Sequence, residues 1–108
     1  MRPGTKAGGT VMNDLFILAV LYAKQGQEGQ LRDDLTALVE PSRKDEGNLR
    51  YELFVDQNDQ RRFVFVEHWA DAASREKHHA KSRHIVHFHS HGVSAVEKSE
   101  VYILDRIA

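Results

Sequence analysis

The sequence predicts an α+β domain: one four-stranded antiparallel sheet with helices packed on one of its faces. Three observations predict it. Four segments read as strands, one from a continuous apolar run and the others mainly from period-two alternation. Two stretches between them carry apolar residues at helical spacing. Their order is β-α-β-β-α-β, the split pattern of ferredoxin-like folds. The length of 108 residues suits one domain, and a hydrophobic fraction of 41% is enough to build its core.

Residues 1–13, MRPGTKAGGTVMN, are small, polar and aperiodic, and read as a disordered leader, with Met12 as an alternative start. Residues 14–108 form the domain. Residues 15–23, LFILAVLYA, are apolar throughout and contain aromatic and β-branched members, as a strand buried on both faces does. Residues 27–46 place Leu31, Leu35, Leu38 and Val39 on one helical face. Gly47 is a natural stop, and Pro41 should kink or loosen the last turn. In residues 48–56, Leu49, Tyr51, Leu53 and Val55 alternate with Arg50, Glu52 and Phe54. The turn-like residues 57–60 join them to a strand over 61–69, making a hairpin. Asp71 is a predicted N-cap for a helix over Ala72–Lys81, and Ser82 for a shorter one through His91, ended by Gly92. Residues 99–107 alternate again as the last strand.

The faces carry a further prediction. Two helical segments cover only one side of a four-stranded sheet. Yet the first strand sets Leu15, Ile17, Ala19 and Leu21 on one side and Phe16, Leu18, Val20 and Tyr22 on the other. The third adds Phe63 and Phe65 against Val64 and Val66. An apolar second face is expected to be covered, and the economical cover is a second copy, sheet against sheet, giving a homodimer closed as an α+β barrel.

Composition narrows the function. The net charge of −1, with both signs interspersed, gives no basic stripe for nucleic acid. No apolar run approaches the roughly 18 residues of a membrane span. No secretory signal pattern is present. Cysteine is absent, which excludes thiolate and Fe–S chemistry and fits a cytoplasmic protein. Six of the seven histidines fall between positions 78 and 91.

Four stretches carry a resemblance. They are Lys24-Gln25-Gly26-Gln27-Glu28, Val39-Glu40-Pro41-Ser42-Arg43, Glu46-Gly47-Asn48-Leu49-Arg50-Tyr51-Glu52, and Phe63-Val64-Phe65-Val66-Glu67-His68-Trp69-Ala70-Asp71. In order and spacing, the segment 15–107 resembles the antibiotic biosynthesis monooxygenase (ABM) domain family. The resemblance implies a dimeric α+β barrel with a pocket in each subunit between sheet and helices. Characterised members include monooxygenases that oxidise quinols or phenols with O₂ without a cofactor, heme-degrading monooxygenases, and an isomerase of phosphorylated autoinducer-2.

The same resemblance marks site residues. Trp69 stands where family members have a pocket-lining tryptophan. Members commonly carry one histidine about nine residues after it and another five further on. Here His78 lies nine after Trp69 and His84 five after His79. Adjacent helical positions point about 100° apart, so only one of His78 and His79 can face the pocket well. With an unperturbed pKa of about 6.5, either imidazole suits a general base. Tyr51 is a candidate hydrogen-bond donor to substrate, Arg50 an anion-binding group, and Phe65 and His84 further pocket residues. Glu67 shares the strand face of Trp69, and a carboxylate there must be paired. His84, His87 and His91, at i, i+3 and i+7, form a stripe that reads as polar surface rather than a metal site. The heme reading lacks its asparagine on the first strand and its tryptophan on the second helix.

The expected function is a cofactor-independent monooxygenase acting on a small aromatic quinol or phenol, with His78 or His79 as base and no metal. Two alternatives stand beside it. One is an isomerase of a phosphorylated sugar-like signal, which residues 45–50 resemble. The other is a ligand-binding dimer without catalysis.

Overall fold

A computed structural model describes residues 14–91 and 93–108. The expected leader and the expected helix stop at Gly92 lie outside the described residues. The chain runs β1 (Leu15–Ala23), α1 (Glu28–Thr36), α2 (Val39–Arg43), β2 (Asn48–Asp56), β3 (Asp59–Trp69), α3 (Ala72–Lys81), α4 (Arg83–His91), a 3₁₀ turn (Val93–Ala95) and β4 (Val96–Leu104). The four strands form one antiparallel sheet in the order β2-β3-β1-β4, the ferredoxin-like arrangement.

The odd-numbered residues of β1 and β3 face the helices. Ile17, Phe63, Phe65 and Trp69 project from the sheet into a core completed by Leu31, Leu35 and Leu38 below and Ile85 and Phe88 from α4. Leu31 and Leu35 are fully buried, and each burial contributes about 1.5–3 kcal/mol. The even-numbered residues form the opposite face. There Val64 pairs with Val20 and Val66 with Leu18 across the strands, while Phe54, Tyr102 and Leu104 are exposed. This two-sided apolar sheet is the one the alternation predicts.

Four details differ from the sequence reading. The expected single helix over 27–46 is two helices, broken at Ala37–Leu38. Pro41 explains the break: it has no N–H to offer the Ala37 carbonyl, so an unbroken helix would lose a bond there. In α2 it instead sits in the first turn, where a missing N–H costs nothing. The hairpin loop is tighter than expected, with only Gln57 and Asn58 between β2 and β3. The Asn58 N–H donates to Asp56 Oδ1 at 2.7 Å and fixes that turn. β4 begins at Val96 and ends at Leu104, three residues earlier than read at each end. Asp71 caps α3 as predicted, accepting the Ser74 N–H at 2.7 Å. The Ser82 hydroxyl, however, donates to Asp45 Oδ2 at 2.8 Å.

Gly47 fixes how α2, β2 and α3 meet. Its φ of +83° lies in the left-handed region, and a Cβ there would collide with the side chain of Ser74. Its carbonyl accepts the Ala70 N–H at 2.7 Å. The loop holding Asp45 is thereby pressed against the start of α3. Among the described residues no helix is long and apolar enough to cross a membrane.

Candidate active site

Between the sheet and α3–α4 lies a half-open cleft of about 150 Å³. A cavity of that size holds a single benzene ring. Its walls are apolar, with Leu21, Leu35, Phe65, Ile85 and Phe88 among them. Set into them are Tyr51, Glu67, Arg75, His78, His79 and His89.

His78 is the best-placed titratable group. It is 5% exposed, whereas its neighbour His79 is exposed at the cleft mouth. The 100° turn between adjacent helical residues makes that choice. His78 Nδ1 lies 2.7 Å from Asp45 Oδ2. An ionised carboxylate only accepts, so Nδ1 carries the proton and donates. Nε2 is then the unprotonated nitrogen, and it has no hydrogen-bond partner among the described residues. Burial pushes the His78 imidazole below the usual histidine range, while the hydrogen bond to Asp45 opposes that shift. The ring is flanked by Trp69 at 4.7 Å and Tyr51 at 5.5 Å between centroids.

Asp45 gathers three partners on one oxygen: His78, the Ser82 hydroxyl, and His84 Nε2 at 3.3 Å. His84 Nε2 also lies 3.1 Å from the hydroxyl of Ser42, which is fully buried. The Ser42 hydroxyl also acts on the Tyr51 phenol, favouring its ionised form, but is outweighed there. Burial, and then Glu67, push that phenol well above its ordinary value, so Tyr51 stays protonated as a donor. The oxygen and nitrogen atoms of Asp45, His78 and His84 all lie within 4.8 Å of one another, a spacing that admits a metal ion. Within it, His78 is hydrogen-bonded to Asp45, and His84 to Ser42.

Trp69 is fully buried behind His78, and its N–H donates to Glu67 Oε1 at 2.9 Å. Glu67 is 7% exposed, and burial pushes its carboxyl upward. The pairing that the sequence demanded for Glu67 is therefore with the tryptophan two residues on. Tyr51 and Phe65 line the cleft, their rings 5.0 Å apart. Arg50 is on the opposite sheet face, where it pairs with Glu52 at 2.8 Å. The cleft holds Arg75 in the place sequence reading gave to Arg50. The histidine stripe also divides. His84 turns toward Asp45, while His87 and His91 stack on the exposed side at 4.2 Å. Asp45, Ser42 and Arg75 were not among the expected site residues: Ser42 and Asp45 lie in stretches that carry the resemblance, but polar residues in a loop and on helices carry no periodic signal of their own.

Comparison with known proteins agrees with this fold. The family model described as antibiotic biosynthesis monooxygenase matches residues 15–91. A Bacillus subtilis (strain 168) relative, named "Putative monooxygenase YcnE", is 30% identical over 78 residues, covering 72% of this chain and 81% of its own. The crystal structure of PA3566 from Pseudomonas aeruginosa superposes with a TM-score of 0.84 at 34% identity, covering 93% of this chain and 100% of that one. That of SO0527 from Shewanella oneidensis gives 0.80 at 30% identity, covering 86% and 90%.

Proposed function

The chain belongs to the antibiotic biosynthesis monooxygenase family, and from that premise we propose that it oxidises a small aromatic quinol or phenol with O₂, without a cofactor, using His78 as the base. One observation carries the reading: Asp45 holds Nδ1–H of His78 at 2.7 Å, which leaves an unprotonated Nε2 beside an apolar, ring-sized cleft.

The chemistry follows from that nitrogen. His78 Nε2 removes the phenolic proton. The phenolate passes one electron to O₂, and the aryloxyl radical and superoxide combine as a C–O bond at the ring carbon para to the oxygen. The proton held by His78 returns to the peroxide. Loss of the proton from that ring carbon and cleavage of the O–O bond leave a second carbonyl and release water. Phenol plus O₂ thus becomes quinone plus water. The apolar walls favour the step by excluding solvent from the radical pair. Tyr51, kept protonated, is the donor to the substrate oxygen, and Trp69 braces the His78 ring from behind. Asp45 acts as a positioning residue, fixing the tautomer.

The active form in this reading is a homodimer joined through the outer sheet faces. Its support is the apolar surface around Leu18, Val64 and Val66, with Phe54, Tyr102 and Leu104 exposed beside it.

Oxygen uptake with a panel of single-ring quinols and phenols tests the reaction. His78→Ala is expected to lower kcat by about 10²–10⁴-fold, the usual contribution of a positioned base. Unchanged turnover in that variant would remove His78 from the mechanism.

A further inference from the structure

We propose that Arg75 makes the cleft an anion-binding site, so that the natural substrate carries a carboxylate or phosphate beside the portion that reacts. The inference rests on the reading above that this cleft is the reaction site, and it adds a substrate class to it.

Arg75 stands on α3 one turn before His78, which brings both side chains to the same helical face. It lines the cleft, and no carboxylate among the described residues forms an ion pair with it. The one acid in the cleft wall is Glu67, whose carboxylate is engaged by the Trp69 N–H. Arg75 feels the Glu67 carboxylate across the cleft but makes no direct ion pair with it, so its fork of donors stays open to a bound anion. Its neighbours point the same way. His79 and His89 meet at the cleft mouth with ring centroids 5.4 Å apart, and both offer ring N–H groups. The cleft therefore presents several donors around Arg75, with His78 Nε2 as the open acceptor and the Glu67 carboxylate as the occupied one.

The position is also poor for a cation on structural grounds. Arg75 lies near the N-terminus of α3, where the acidic group is the N-cap Asp71, its carboxylate engaged by the Ser74 N–H. A helix N-terminus disfavours positive charge, and it favours an incoming anion. Arginine suits the task because its planar fork binds a carboxylate or phosphate through two parallel hydrogen bonds.

Anaerobic calorimetry on the whole chain, with turnover prevented, tests the site. The probes are 2,5-dihydroxybenzoate, hydroquinone, which lacks the carboxylate, and ribose 5-phosphate. The wild type is expected to bind the dihydroxybenzoate about 10- to 100-fold more tightly than hydroquinone, as a charge-assisted pair implies. Arg75→Gln should erase that preference while leaving hydroquinone affinity in place. Arg75→Lys, which keeps the charge but not the fork, should retain part of it, and serves alone if the glutamine variant fails to fold by circular dichroism. Equal affinities in the wild type, or a preference that survives Arg75→Gln, would overturn the proposal. Tighter, Arg75-dependent binding of ribose 5-phosphate than of the aromatic acid would sustain the anion site and count against the quinol reading.

Discussion

His78 and Asp45 are 33 residues apart, and only the fold makes them a pair. Their contact has a consequence for stability. Burial holds the folded-state pKa of His78 below its ordinary 6.5. Between the two values the unfolded chain binds the extra proton, so stability rises with pH across that window. The contribution is fully present above about 6.5 and is lost as the pH falls toward the folded value. Asp45, His84 and Arg75 face the ring and set the extent of the shift. Melting temperatures measured from pH 7.5 to 5 are expected to fall by several degrees in the wild type and more gently in His78→Gln. Parallel curves would show that His78 does not contribute. His78 itself was legible from its distance to Trp69. Asp45 was not, because a loop aspartate after a helix is ordinarily solvated and nothing local marks it as a partner.

The elements were legible in proportion to how strictly their pattern repeats. β1 and the β2–β3 hairpin follow a period-two pattern or an unbroken apolar run; β1 stands as read, and the hairpin differs only in its tighter loop. The stretch 27–46 misled because Leu31, Leu35, Leu38 and Val39 keep helical spacing across the break, so periodicity alone passes through it. Pro41 was the signal: a residue without an N–H starts a helix more readily than it continues one. At this scale Gly47 is the point of greatest leverage. Gly47→Ala should cost about 1–3 kcal/mol, since alanine pays the left-handed strain and also meets Ser74 at the start of α3. Each kcal/mol lowers the melting temperature of a domain this size by roughly 4–8 °C. Ser74→Gly in the same chain relieves the collision but not the strain, so it should restore only part of the loss. Full restoration would place the whole cost in the contact.

For the whole molecule, the sheet has two apolar faces and helices for one. If a second copy covers the other, the melting temperature should rise with protein concentration, and sedimentation should report a dimer. Val66→Lys places a charge on the outer face beside Leu18 and Val64. It should weaken association by at least about 100-fold, since an unpaired ammonium in an apolar interface costs several kcal/mol. A wild-type monomer at micromolar concentration would dismiss the dimer. The two-sidedness of the sheet was the most legible feature of all, because alternation reports both faces at once. Which cations and acids meet in the cleft was the least, because that depends on how α3 lies across the sheet.

β4 gives this architecture a kinetic hazard. It is an edge strand, hydrogen-bonded only to β1, with Val101 and Ile103 exposed on one face and Tyr102 and Leu104 on the other. An unpaired backbone edge flanked by apolar side chains is a template for strand addition. If the sheet faces pair as proposed, a subunit separated from its partner would expose an apolar face beside that edge and be prone to recruit other chains. In that dimer, dilution or an interface mutation that frees subunits should raise precipitation and seeded growth alongside the monomer, so the lifetime of the assembly would bear on shelf life together with the stability of the fold.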